Sequence, residues 1–267
     1  MDVFALLNAG RSADRAANVA RIALSQYTRP VECPTYFAAL NRALLDEPPP
    51  FITDVYSQIY RNASAEGQWM LVSLMTNAEH EGEAAKRLWS LAANAVDRNE
   101  GELLKRHAVD ESRHALAYLA LLDLAFPGAV TPSFRSELNQ LSPSFSMRQQ
   151  FFAVDGSPYA RTPSVDDFVQ MNIAEIRTTI HHLLQRPALA MHCPRMNVPR
   201  ITKILDALLR DELRHVAYTA ILIDGRAKDS NSDDFPALFT RGVRAFNRMT
   251  SEEPVECSYN RRFGNYP

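Results

Sequence analysis

One five-residue frame occurs twice in this chain, as Asp110-Glu111-Ser112-Arg113-His114 and as Asp211-Glu212-Leu213-Arg214-His215. Within each copy, Glu-x-x-His puts a carboxylate and an imidazole one turn apart on one helical face, so both reach a single metal ion. Chance is a poor explanation, because the chain has only seven histidines to distribute. A solvated ion-pair face is a poor one too. Glu111 lies on the stripe Leu104, His107/Ala108, Glu111, His114/Ala115, Tyr118, Leu122, and Glu212 on Leu205, Leu208, Glu212, His215, Thr219, Leu222. Both carboxylates thus sit in apolar faces, where an uncompensated charge is costly and metal coordination relieves it. Two such helices face to face, with one further Glu from each of two more helices, make a carboxylate-bridged dimetal bundle.

The rest of the chain supplies helices for such a bundle. Residues 3–26 and 35–46 read as N-terminal amphipathic helices, stopped at Pro30 and at Pro48-Pro49-Pro50. A helical stretch over 54–96, with a break near Asn62-Ala63-Ser64, precedes helices over 99–126, 165–185, 199–223 and 235–249. No segment alternates convincingly as a strand, and nine glycines are few for a Gly-rich β-sandwich or a Rossmann domain. The expected fold is all-α. It is a single domain over 1–267, with a four-helix core at about 54–225, N-terminal helices within 3–47 and a C-terminal extension over 233–267. Residues 128–164, rich in proline and serine, read as a long inter-helix loop; their aromatics (Phe134, Phe145, Phe151, Phe152, Tyr159) suit a packed lid.

Composition narrows the function classes. A net charge of −2 and an isoelectric point near 6.4 remove the electrostatic case for a dedicated DNA binder. Cys33, Cys193 and Cys257 form no C-x-x-C pair, so they read as three reduced thiols. The N-terminus has no secretory pattern, and the longest apolar run, 115–126, is too short to span a bilayer. A cytoplasmic protein is expected.

Two more ligands are needed. In the 165–185 helix only Glu175 is available, on a face with Phe168, Met171, Thr178/Thr179 and His182, while Arg177 points away from it. The first core helix offers Glu79, Glu81 and Glu83. The stripe Leu71, Leu74, Ala78, Ala85, Leu88, Ala92 passes through position 81, whereas Glu83 lies near Lys86 and reads as solvated, with Glu79 on its face. Glu81 is the favoured ligand, with Glu79 as the alternative.

The order Glu81, Glu111-x-x-His114, Glu175, Glu212-x-x-His215 on four helices resembles the ferritin-like superfamily, in its dimetal-carboxylate oxidase and oxygenase branch. The resemblance covers about 65–225. It implies a ferritin-like bundle holding two iron ions, with manganese possible in one or both places, and O2-dependent oxidoreductase activity. It implies that Asp110 and Asp211 accept hydrogen bonds from the metal-bound imidazoles of His114 and His215, fixing the ring tautomers. Arg113 and Arg214 belong to the same frames and are expected beside the ligands. Thr179 matches the active-site threonine of multicomponent monooxygenase hydroxylases, and a threonine capping the Glu175 carbonyl is the alternative. Tyr118 matches the radical tyrosine of ribonucleotide reductase small subunits, and a packed core tyrosine is the alternative. His182 is a pocket candidate. Related N-oxygenases add a histidine one turn before the last Glu, where this chain has Leu208.

The expected activity is oxidation of a small organic substrate by hydroxylation, N-oxygenation or desaturation. An external donor of the ferredoxin or flavin-reductase type supplies electrons, and a homodimer is expected. A tRNA-modifying hydroxylase, a radical-generating subunit, a ferroxidase and a manganese-catalase type protein are the alternatives. Four carboxylates and two neutral imidazoles balance two divalent cations, and mixed oxygen and imidazole donors suit iron or manganese.

Overall fold

A computed structural model describes residues 14–27, 31–141, 157–229 and 235–259. Among these, every regular element is helical. The helices are α1 (Arg15–Ser25), α2 (Pro34–Asp46), α3 (Asp54–Ser64), α4 (Gly67–Ala93), α5 (Arg98–Ala125), α6 (Pro132–Leu141), α7 (Val165–His192), α8 (Val198–Asp229) and α9 (Phe235–Tyr259). Short 3-10 turns lie at Pro50–Ile52 and Arg195–Asn197. Among the described residues no helix is long and apolar enough to cross a membrane.

Local chemistry explains most boundaries. Asp97 caps α5 by accepting the Glu100 N–H at 2.7 Å. Ser164 and Asp167 cap α7 reciprocally, the Ser164 N–H reaching Asp167 Oδ2 at 2.7 Å and the Asp167 N–H reaching Ser164 Oγ at 3.3 Å. After α5 the chain turns through Pro127 and Gly128, whose φ of 82° is the left-handed value that glycine tolerates. The expected 54–96 stretch is indeed two helices, parted at 65–66.

Three expectations need correction. The segment expected as a loop over 128–164 contains α6, with Thr131 at its N-cap accepting the Phe134 N–H at 3.2 Å and Pro132 at its first position. Phe134 is buried and α6 lies against α4. Tyr159 receives the Arg87 guanidinium over its ring at 5.6 Å. The lid aromatics Phe145, Phe151 and Phe152 lie outside the described residues, as do the start of the 3–26 expectation, the side chain of Cys257 and residues 260–267. The second correction concerns α7, which runs through Pro187 to His192 rather than ending at Gln185. An interior proline costs about 3 kcal/mol, and burial of Ala188 and Leu189 just beyond it offsets that cost. At the other end of the chain, α9 extends ten residues' worth of turns past the expected boundary at 249, to Tyr259.

The chain forms two compact units. The described residues of the second fall within 65–163 and 188–208, and its centre is the pair α4 and α5, which pack on each other across the short turn at 94–97. Leu71, Leu74, Ala78, Ala85 and Leu88 of α4 and Leu104, Ala108, Ala115 and Leu122 of α5 are buried at helical spacing.

The first unit comprises 1–64, 164–187 and 209–259. Its polar hub is the fully buried Asn172 of α7. That side chain accepts the Tyr36 hydroxyl at 2.8 Å and donates to the Val216 carbonyl at 3.0 Å and to Thr219 Oγ1 at 2.9 Å. One residue thereby ties α2, α7 and α8 together. Nearby, the buried Asp224 carboxylate accepts the Tyr36 N–H at 3.0 Å and meets Lys228 Nζ at 2.6 Å. Burial, with Asp224 close by, pushes the Cys33 thiol up to about 11, so it stays protonated. Asn172→Ala strands the Tyr36 hydroxyl and the Val216 carbonyl, and should cost about 2 to 4 kcal/mol. Chemical denaturation checks this, and a loss below about 0.5 kcal/mol would show the hub to be dispensable.

Candidate metal centre

Each unit carries its own carboxylate–imidazole group. In the second unit, α5 presents Glu111 and His114 one turn apart, and α4 presents Glu81 to them. His114 Nδ1 lies 3.6 Å from Glu111 Oε1 and 3.7 Å from Glu81 Oε2. Glu81, Glu111 and His114 each bring one ligand atom within 4.8 Å of the others, the spacing of a set that could hold a metal ion. The carboxylates are withdrawn from water, with side-chain exposures of 12% for Glu81 and 5% for Glu111. Glu83, two residues on, is 44% exposed and lies 3.5 Å from Lys86 on the outer face. Glu79 is half-buried.

In the first unit, α8 presents Glu212 and His215, and α7 presents Glu175. His215 Nδ1 is 3.3 Å from Glu212 Oε2 and 4.0 Å from Glu175 Oε2. All three are buried. The same pattern therefore recurs in each unit: one Glu from one helix, and a Glu-x-x-His pair from the next. Arg177 donates to Thr250 Oγ1 of α9 at 2.8 Å, away from the Glu175 face.

The flanking residues repeat as well. Arg113 and Asp110 pair at 2.8 Å, and Arg214 and Asp211 at 2.7 Å. Both aspartates are buried and both arginines reach water, so each arginine neutralises one buried carboxylate from the solvent side. The Thr179 hydroxyl is fully buried and has no hydrogen-bond partner among the described residues, so it does not cap the Glu175 carbonyl. Tyr118 is buried one turn after His114.

Two histidines enlarge these groups. His107 Nε2 lies 3.1 Å from Glu111 Oε1, and His182 Nε2 lies 3.3 Å from Glu212 Oε1. His182 stood among the pocket candidates. His107 did not, although its place four residues before Glu111, on the same apolar stripe, was a legible signal. His181, next along α7, faces the other way, where its ring stacks on Tyr56 and its Nε2 meets the Tyr56 hydroxyl at 2.9 Å. Burial holds His181 well below the ordinary histidine range, with Arg177 and His182 adding to the effect.

The second unit also has a cavity of about 590 Å³ lined by Gly67, Gln68, Leu71, Phe126, Pro127, Gly128 and Ala129. Roughly 21 Å of helix separates Gly67 from Glu81, so this cavity is not the space around the carboxylates. Comparison with protein-family models, with curated proteins and with solved structures finds no match for this chain.

Proposed function

We propose that the chain is a ferritin-like, non-heme diiron enzyme that uses O2 to oxidise a small organic molecule. The observation that carries this reading is the recurrence of one donor pattern in both units, each with two carboxylates and one imidazole converging at 3.3 to 4.0 Å, all of them buried except the half-buried Glu81. Buried carboxylates without a cation are costly. Glu81, Glu111, Glu175 and Glu212 carry four negative charges, which two divalent ions cancel. The donors therefore fit a metal pair, with Glu81, Glu111 and His114 holding one ion and Glu175, Glu212 and His215 the other.

Bound ferrous ions supply the electrons that reduce O2. The chain's own residues supply the remainder. Asp110 and Asp211 hold the imidazoles in the tautomer that leaves Nδ1 free to bind. Arg113 and Arg214 pair with those aspartates from the solvent side. Thr179, with a buried hydroxyl that has no hydrogen-bond partner among the described residues, is a donor available to a bound molecule beside Glu175. Tyr118 and the apolar stripes of α4, α5, α7 and α8 exclude water. An external ferredoxin- or flavin-dependent donor restores the reduced state.

The test is single-turnover oxidation. Protein loaded with ferrous iron under nitrogen should oxidise within seconds of adding O2, and 18O2 should label the product of a productive organic substrate. Iron that stays ferrous would contradict O2 activation, while oxidised iron that leaves as a mineral would favour a ferroxidase.

A further inference from the structure

Each group contains a histidine beyond its Glu-x-x-His pair, and the two meet different carboxylate oxygens. In the second unit His107 Nε2 lies 3.1 Å from Glu111 Oε1, and this same oxygen faces His114 Nδ1 at 3.6 Å. In the first unit His182 Nε2 approaches Glu212 Oε1 at 3.3 Å, whereas His215 Nδ1 faces the other oxygen, Oε2, also at 3.3 Å. A group that only orients a metal-bound carboxylate takes the oxygen turned away from the other donors. By that criterion His182 stands behind its carboxylate, and His107 stands among the donor atoms.

Resting on the dimetal reading above, we propose that His107 is a seventh metal ligand, binding through Nε2. Residues 107, 111 and 114 fall at i, i+4 and i+7 of α5, one continuous face, so a single straight helix presents all three. His107 is as deeply buried as His114, at 2% and 1%, and does not depend on a solvent-facing rotamer. Binding through Nε2 places the ring proton on Nδ1. His107 raises the imidazoles offered to the two ions from two to three, an odd number that cannot divide evenly between them. The two ions are inequivalent, and His182 is a positioning residue for Glu212.

His107→Gln separates ligand from positioning residue, because glutamine still donates a hydrogen bond to Glu111 but binds metal poorly. His182→Gln is its counterpart. Metal titration of the folded proteins should show His107→Gln losing affinity for one ion by at least about tenfold, with an altered visible spectrum when loaded with Co(II). His182→Gln should hold both ions. Added imidazole should restore the lost ion in His107→Ala. Should either variant misfold, pulsed electron–nuclear resonance on Mn(II)-loaded, 15N-histidine-labelled wild type should detect a third strongly coupled imidazole nitrogen, and only two would overturn the assignment. A His107→Gln protein binding both ions with wild-type affinity and spectrum would also overturn it, leaving the dimetal reading intact. A wild-type chain that binds no pair of ions would remove both.

Discussion

Glu111→Gln is expected to abolish the stabilisation that metal confers while leaving the metal-free protein as stable as wild type, or more so. Glu111 is buried, and its carboxylate is the meeting point for His107, His114 and Glu81. Without a cation, two carboxylates in one dry group repel each other and are poorly solvated. The amide removes one of those charges at nearly constant volume. With a cation, the balance reverses. An ion present at a thousandfold over its dissociation constant stabilises the folded state by about 4 kcal/mol, and loss of a central ligand removes that gain. Thermal melts of both proteins, with and without ferrous or manganous ion, measure the two effects together. A metal-dependent rise in melting temperature that survives the substitution would show that Glu111 is not a ligand.

The second large effect separates two neighbouring glutamates of α4. Glu81→Ala should lose bound metal, and Glu79→Ala should keep it. Successive helical residues are 100° apart, so Glu79 and Glu81 cannot both face α5. The buried set Leu74, Ala78, Ala85 and Leu88 fixes which face is inward, and Glu81 lies on it, with an oxygen 3.7 Å from His114 Nδ1. Gly82 is buried beside it. Metal content of the two purified variants decides the matter. Loss in Glu79→Ala with retention in Glu81→Ala would mean that α4 is turned in the metal-loaded protein.

These arguments show which parts of the molecule are legible in its sequence. Helical period alone was enough for α2, α4, α5 and the inward faces of α4, α5, α7 and α8, because a buried stripe at steps of three and four leaves few other structures. The frame containing Glu111 and His114 was legible for the same reason, since a charged residue inside an apolar stripe demands a partner. Within the expected 128–164 loop, only the helix over 132–141 was missed, because proline and serine were counted rather than placed. Thr131-Pro132 is a helix start, with a capping hydroxyl followed by the one position where proline fits. The 165–185 helix runs on through Pro187 to His192, because a proline's local cost is small beside the burial of the turn that follows it. His107 was passed over since its stripe also accommodates Ala108, and only the 3.1 Å contact with Glu111 distinguishes a packed histidine from a donor. The Tyr36–Asn172–Thr219 hub has no sequence signature at all, because it joins three helices far apart in the chain.

The proposed diiron function requires the carboxylate–imidazole group of each unit to bind iron. Mössbauer spectroscopy of 57Fe-loaded, O2-oxidised protein, with the iron counted per chain, tests it most directly. The account expects about two irons per chain in a single antiferromagnetically coupled diferric state without an EPR signal. One iron per chain, or two that give separate uncoupled ferric signals, would contradict it.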